Sequence, residues 1–510
     1  MNGVYSVAQV RLAEEQLMAT LPDGALMERA SAGLADICSA LLDDAGPGVR
    51  KARVAILVGS GNNGGDALYA GALLADRGAR VQAIALGDRV HAGGRDALVH
   101  AGGRLLQAQD TLAASEVLVD ADLVLDGIVG IGGTGALRPL ATELVHAAAE
   151  GGALIVAVDI PSGVDADTGA VADAVAAVDA DVTVTFGCLK PGLLLAPGRS
   201  HSGAVMLVDI GLGETLPMAT VHVLDDDDIA ETVPEPAHDD YKYSRGVAGV
   251  AAGSPHYRGA ALMTTAGARL GGAGMVHVLD RCDGVAAMVI DHFWDVVTST
   301  DAPSSTPRVG AWTVGPGLGE GPADGASLDS VLAVTGPVVV DAAGLRLLAQ
   351  SGAHAPLQRR HAAGQCTVLT PHEGEFAALG YDCGTGSAQD RLGAALRAAR
   401  ELKAVIVLKG PGTVVASPSG AAYIDTRGGP ELGTAGSGDV LAGLLGSMLA
   451  SHAARENVGD DDAARIAAAG VAIHGAAGVL AGSAGHPVTA MDIIDALPEA
   501  IAAFRRGTAP

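Results

Sequence analysis

The run GNNGGD occupies residues 61–66, close behind the apolar stretch RVAILV at 53–58. Its glycines would let backbone N–H groups close on a ligand, but no lysine is present to meet a transferring phosphate, so ATP hydrolysis is not expected there. Asn62 and Asn63 add side-chain donors and carbonyl acceptors instead. A bare Asn/Gly turn without a ligand would carry the same letters. Two later segments end on carboxylates: LVLDGIVGIGGTGALRP (123–139) sets Asp126 ahead of a second glycine loop, and IVAVDIPSGVDADTG (155–169) sets Asp159 ahead of Pro161, Ser162 and Gly163. Singly, either aspartate could be a loop cap. If the three runs are parallel strands, Asn63, Asp126, Asp159 and Ser162 reach one carboxyl edge, where open α/β sheets bind ligands. Such a set has only oxygen donors and a spare acid/base. It favours a hard cation over zinc or iron and allows proton exchange with a bound hydroxyl.

The second half carries different chemistry. LGTAGSGDVLAGLLGSMLA (432–450) reads as a glycine turn opening a helix. The N-terminal amides and dipole of such a helix stabilise a transferring phosphate, and Asp439 in its first turn could take a proton from an attacking hydroxyl. The alternative makes Asp439 a helix cap. LKGPGTVV (408–415) ends a strand on Lys409 before a Gly-Pro-Gly turn, as a nucleotide-phosphate contact would require, and VGPGLG (314–319) and TPHEGEF (370–376) add further strand-end loops. His372 alone reads as a hydrogen-bonded loop histidine, and within TPHEGEF as part of a substrate pocket.

These residues need a scaffold of strands and helices. Helical spacing runs from Val7 to Leu42, followed by strands at 53–58, 80–86, 121–128, 153–160 and 180–186 alternating with Ala/Leu-rich stretches. That alternation predicts a parallel, doubly wound sheet. Residues 225–240, DDDDIAETVPEPAHDD, hold eight acids and two prolines and read as an exposed linker or domain entry. A second α/β pattern follows: GVAGVAAGS (246–254), a helix over 259–274, and strands at 275–279, 311–316, 337–342, 366–371 and 404–410. The expected division is 1–215, an acidic segment 216–240, and 241–510.

Composition narrows the function. The formal net charge of −26 repels nucleic acid and anionic lipid alike, and 49% hydrophobic with only 3% aromatic content suits sheet-and-helix packing rather than a base-stacking surface. Lysines are only five, Lys51, Lys190, Lys242, Lys403 and Lys409, so each invites a role. The cysteines, Cys38, Cys188, Cys282, Cys366 and Cys383, are scattered without CxxC spacing and fit reduced thiols in a cytoplasm. No signal pattern and no apolar run of membrane-span length are read, so cytoplasmic localisation without membrane or nucleic-acid partners is expected. A homo-oligomer is expected as well.

GNNGGD, DGIVGIGGTG, AVDIPSGVDADTG and DVTVTFGCLKPG together resemble the epimerase domain that acts on hydrated NAD(P)H, a cofactor form with water added across the nicotinamide ring. The resemblance covers about residues 1–215 and implies a Rossmann-like sheet. By motif, Asn63, Asp126 and Ser162 would hold a potassium ion. Asn62, Asn63, Gly64, Gly65 and Asp66, with Gly130, Ile131, Gly132, Gly133, Thr134, Gly135 and Ala136, would contact substrate, and Asp159 would do so as the acid/base. Lys190, in FGCLKPG, matches the family's lysine, either at the site or as a structural salt bridge. Ala67 stands where the family commonly has glycine.

The C-terminal motifs, with KYSRGVAGVAAGS (242–254), resemble the ribokinase-like dehydratase that repairs hydrated NAD(P)H at the expense of ADP or ATP, over about 220–505. By motif, Lys409, Gly410, Pro411, Gly412 and Thr413, with Gly429, Thr434, Ala435, Gly436, Ser437 and Gly438, would bind the nucleotide with magnesium. Gly319, His372 and Asp439 would face the hydrate. DAAGL (341–345) departs from the family's DADAL-like pattern, with Ala343 in place of an acid, which leaves a metal or polar contact open there. The two resemblances imply one bifunctional repair enzyme. Its first half would exchange R and S hydrates of NADH or NADPH, and its second would phosphorylate the S hydrate and eliminate phosphate, with ADP favoured by the fusion. The alternative is a ribokinase-like small-molecule kinase fused to a non-catalytic dinucleotide-binding module.

Overall fold

The computed structural model describes the chain except Gly46, Cys282, Asp283 and Pro510. Cys38, Cys188 and Cys366 are free thiols, and Cys282 lies outside the described residues. The chain forms two compact units: Gly3–Ala219 with Gly384–Asp390, and Thr220–Cys383 with Arg391–Pro510 and the first two residues.

The N-terminal unit holds a sheet of seven parallel strands among the described residues. Their spatial order is Arg104–Gln107, Arg80–Ala85, Arg53–Val58, Leu123–Gly127, Leu154–Val158, Val182–Phe186 and Ala204–Val208. Numbered along the chain this is 3-2-1-4-5-6-7, the doubly wound Rossmann order. The unbroken apolar run RVAILV follows from burial on both faces: Val54, Ile56 and Val58 enter one core with Leu34, Leu68 and Leu74, while Ala55 and Leu57 enter the other with Val124 and Leu144. Strand order reverses between Arg53–Val58 and Leu123–Gly127, where Leu57 pairs with Asp126 and Val58 with Gly127. GNNGGD and Asp126 therefore share the switch point. The two outermost strands, Arg104–Gln107 and Ala204–Val208, escaped the sequence reading because neither has a buried residue to reveal it.

The C-terminal sheet runs in spatial order Val221–Val223, Ala422–Asp425, Thr413–Ala416, Val405–Leu408, Thr367–Leu369, Val338–Val340, Ala311–Val314, Val247–Ala251, Met275–Leu279 and Val297–Ser299. Pairing is parallel from Val405–Leu408 to Val297–Ser299, and Thr413–Ala416 and Ala422–Asp425 form an antiparallel ribbon beside it. The GSGD helix, Ser437–Ala453, crosses Arg258–Leu270 at near backbone contact. A Cβ on Gly443 would lie 1.9 Å from the Thr264 carbonyl oxygen, so only glycine permits this approach and the helix is fixed in place.

Two expectations change. The acidic segment is not a bare exposed linker: Asp226–Thr232 is a helix capped by Asp225, and Ile229 and Val233 are buried in the C-terminal core. The acids occupy the cap and the first turn, where the helix dipole favours negative charge, while the apolar residues face inward. Asp460–Gly482 is long and apolar enough to cross a membrane, contrary to the expectation that no run reaches that length, and 83% of its most apolar window is buried inside the protein.

Candidate active sites

In the N-terminal unit GNNGGD is a helix start rather than a free loop: Gly61 caps helix Asn62–Asp76. A Cβ on Gly64 would stand 2.4 Å from the Gly59 carbonyl oxygen, which explains the glycine there. Asn63 packs against Gly130 of the second glycine loop, and its buried Nδ2 has no hydrogen-bond partner. Asp126 is 1% exposed. Its Oδ1 accepts from Ser162 Oγ at 2.7 Å and Ile128 N at 3.2 Å, and its Oδ2 from Ser162 N at 2.8 Å. Burial pushes the Asp126 carboxyl up to about 6, with the Ser162 and Ile128 donors pulling the other way. Asp126 and Ser162 are thus joined by hydrogen bonds, and Asn63 lies against Gly130 of the loop that follows Asp126.

Asp159 follows the strand Leu154–Val158 with φ 68°, a left-handed conformation that costs a non-glycine residue about 1–3 kcal/mol and is concentrated at functional sites. Its Oδ1 accepts from Lys190 Nζ at 2.7 Å, Thr185 Oγ1 at 3.1 Å and Phe186 N at 3.3 Å. Lys190 is fully buried, and its ammonium also donates to Thr185 Oγ1 at 2.9 Å and the Phe186 carbonyl at 2.8 Å. The lysine is therefore the counter-ion of Asp159. Lys190→Met should destabilise the protein by about 3–5 kcal/mol by leaving a buried carboxylate unpaired, and adding Asp159→Asn should recover part of that loss. Denaturant unfolding measures both, and wild-type stability of Lys190→Met would contradict the pairing.

A cavity of about 1160 Å³ opens beside these groups, walled by Asn62, Asn63, Asp66, Gly130, Ile131, Gly132 and Asp159. Gly64 and Gly65 are buried within the helix, and Gly133, Thr134, Gly135 and Ala136 do not line the cavity. Arg11 and Glu14, from helix Val7–Met18, do line it and were missed. Only their shared face, three residues apart, could have signalled them. Burial, then Asp159 and Glu14, push Asp66 well above the usual carboxylate range.

In the C-terminal unit the carboxyl ends of adjacent parallel strands deliver Asp341, Thr370 and Lys409 side by side. Lys409 Nζ lies 2.8 Å from Asp341 Oδ1 and 3.8 Å from Glu375 Oε2, and Thr370 Oγ1 donates to Asp341 Oδ1 at 2.7 Å. The Gly436–Asp439 turn closes over this group: a Cβ on Gly438 would be 3.4 Å from Lys409 Nζ and 3.8 Å from Asp341 Oδ2. Asp439 lies in the first turn of its helix, and its carboxyl is pushed up to about 7 by burial and by Asp341 and Glu375, against the pull of Lys409. Burial lowers Lys409, but Asp341 and Glu375 outweigh it and hold the ammonium above its ordinary range.

Asp341 and Glu375 were not picked out from the sequence. A signal was present in each quoted motif, since Asp341 begins DAAGL and Glu375 ends TPHEGE. Ala342, next to Asp341, has φ 50°, a second strained backbone at a site. Ala343 is buried at the start of helix Ala343–Ser351, so no acid stands there. His372 caps helix Glu373–Ala378, its Nδ1 accepting from Gly374 N at 3.0 Å and Glu375 N at 3.3 Å, with the rest of the ring exposed. Gly410 rests on fully buried Arg391, which donates to the Lys409 carbonyl at 3.1 Å and pairs with Glu373. Thr413 Oγ1 donates to the Gly410 carbonyl at 3.0 Å. Ser437 Oγ meets Nε2 of buried His474 at 3.3 Å, and Gly429 opens the short turn Pro430–Leu432. Gly319 lies against Asp324 rather than in the Asp439 cluster.

Comparison with known proteins bears on both units. The family described as NAD(P)H-hydrate dehydratase matches residues 248–499, and the family described as YjeF-related protein N-terminus matches residues 23–192. A bifunctional NAD(P)H-hydrate repair enzyme of Mycobacterium tuberculosis is 43% identical over 457 residues, 88% of this chain and 90% of its own length. The chain belongs to the bifunctional NAD(P)H-hydrate repair enzymes. Members from Mycobacterium leprae, 43% identical over 88% of this chain and 90% of their own, and Thermofilum pendens, 33% identical over 94% and 92%, are similar along the same length. A solved ADP/ATP-dependent NAD(P)H-hydrate dehydratase of Bacillus subtilis, co-crystallised with ATP and Mg²⁺, covers 55% of this chain and 98% of its own at 26% identity and a TM-score of 0.45. Most of the N-terminal site lies within the residues matched by the YjeF-related family, and the Asp439 cluster lies within those matched by the NAD(P)H-hydrate dehydratase family.

Proposed function

We propose that the two sites act in sequence on hydrated NADH and NADPH: the N-terminal site exchanges R and S hydrates, and the C-terminal site returns the S hydrate to NAD(P)H. The observation that carries this reading is that family membership along 88% of the chain coincides with two separate carboxylate sites, one of them beside a cavity of about 1160 Å³. The hydrate's hydroxyl sits on a carbon bonded to a ring nitrogen whose lone pair can expel it. Protonated, that oxygen leaves as water, and water adding to the other face with loss of a proton completes R/S exchange; Asp159 is the acid/base proposed to serve these proton transfers.

In the second site Asp439 takes the proton of the S hydrate's hydroxyl. Lys409 to Thr413 and Gly429 to Gly438 hold ADP or ATP, whose magnesium neutralises charge on the phosphates when bound. His372, which starts the helix carrying Glu375 beside Lys409, completes the hydrate side. Phosphate is the better leaving group, so phosphorylation converts a reluctant loss of hydroxide into elimination.

The residues fit a monovalent cation in the first site. The Asp126 carboxylate is buried with no cation among the groups acting on it, Ser162 Oγ lies 2.7 Å from it, and Asn63 Oδ1 faces Gly130 in the loop that follows it. Potassium bound by Asn63, Asp126 and Ser162 would balance that charge and order the loops around the substrate. Replacing a bulky organic cation salt with KCl should raise the thermal transition of wild type, and Asp126→Ala should lose the rise. An equal response in both proteins would remove potassium from this site. Reduced cysteines support a cytoplasmic setting, and assembly as a homo-oligomer is part of the same reading.

The deciding experiment incubates the protein with mixed R and S hydrates and ADP, ATP or neither. Exchange without nucleotide, and full recovery of NAD(P)H with it, are expected. A stable phosphorylated alcohol would favour a small-molecule kinase instead.

A further inference from the structure

Inversion at the hydroxyl-bearing carbon needs a proton delivered to the leaving oxygen and another removed from water entering on the other face. Asp159 Oδ1 is filled by donors from Lys190, Thr185 and Phe186, so the ion pair suits this carboxylate to removal, through Oδ2. Delivery calls for a group that starts with a proton. Two further carboxyls wall the same cavity, Asp66 and Glu14. Burial, Asp159 and Glu14 raise Asp66, and no cation is among the groups acting on it. Burial and Asp159 push Glu14 up, while Lys190 and Arg11 draw it back. Arg11 lies one helical turn before Glu14 and walls the cavity with it, and Cys188 is within electrostatic reach. A carboxyl balanced between opposing charges can both give and regain a proton, and pairs of acids in unlike surroundings divide acid and base roles.

Resting on the epimerase reading above, we propose that Glu14 is the proton donor that works with Asp159 in R/S exchange. Glu14 gives its proton to the hydroxyl oxygen as the C–O bond breaks. The nitrogen lone pair forms the C=N⁺ bond, and water leaves. Water then adds to the other face, the π pair returns to nitrogen, and the surplus proton passes to Asp159 Oδ2. Glu14 is now ionised and Asp159 protonated. Proton exchange with water in the open cavity returns the proton from Asp159 to Glu14 between turnovers, so nothing is consumed and R is converted in net.

The test uses the full chain with mixed hydrates and ADP, following R and S separately. Wild type consumes both. Glu14→Gln should consume S as wild type does and consume R about 10²–10⁴-fold more slowly through kcat, with KM for R little changed, and Glu14→Asp should recover at least part of the rate. Consumption of R by Glu14→Gln at the wild-type rate overturns the proposal. So does a loss confined to KM, or a loss that Glu14→Asp does not relieve, because either would make Glu14 a structural residue. If wild type itself leaves R untouched, the epimerase reading fails before any substitution is made.

Discussion

Asp439→Ala is expected to stop nucleotide-dependent dehydration of the S hydrate, with a loss of about 10²–10⁴-fold, while R/S exchange continues at the wild-type rate. The carboxylate lies in the first turn of helix Ser437–Ala453, over the Lys409–Asp341 pair, where it can reach a hydroxyl presented to a bound nucleotide. Burial and the charges of Asp341 and Glu375 raise it to about 7, which makes it a stronger base than an ordinary aspartate once ionised. A base must be deprotonated to act. The wild-type rate should therefore rise with pH through about 7, and this limb should be missing from whatever activity Asp439→Ala retains. Separate assays of exchange and dehydration across pH measure both effects. Retained dehydration in the variant would remove Asp439 from the chemistry.

Asp159→Asn should give the converse phenotype, with R/S exchange reduced by about 10²–10⁴-fold and dehydration of S preserved. The amide is nearly the same shape but cannot accept a proton, and it leaves the fully buried Lys190 ammonium without its counter-ion. Thermal stability measured alongside the rate separates the two consequences. Removing Lys190 as well relieves the unpaired charge without restoring the acid/base, so a stabler double variant that still fails to exchange R and S supports the chemical role. Exchange by Asp159→Asn at the wild-type rate would end it.

How much was legible differs between the sites. Asn63, Asp126, Asp159 and Ser162 were readable because each lies at or just past the end of an apolar run, and parallel pairing brings such ends to one edge. Asp439 and Lys409 were readable for the same reason, at a helix start and a strand end. Glu14 was hidden because its helix is distant in sequence from the strands that form the rest of the cavity. Glu375 was hidden as one of two acids in TPHEGEF, until its burial, 5% exposed, set it apart from exposed Glu373. Of the two readings of 225–240, linker or domain entry, a bare exposed linker does not describe 226–233, where the charges sit at the cap and first turn of a helix and the apolar minority points into the core.

The sequence by itself determined two α/β units, the strand-end positions of the reactive side chains and the glycines that keep their loops tight, since these depend on local pattern and spacing. The tertiary structure decided which charges meet. Lys190 became the partner of Asp159, Asp341 and Glu375 gathered on Lys409, and Glu14 came to wall the cavity, because contacts between side chains far apart in the chain are set by how helices and strands pack. Those contacts, with burial, set the proton affinities on which both proposed reactions depend.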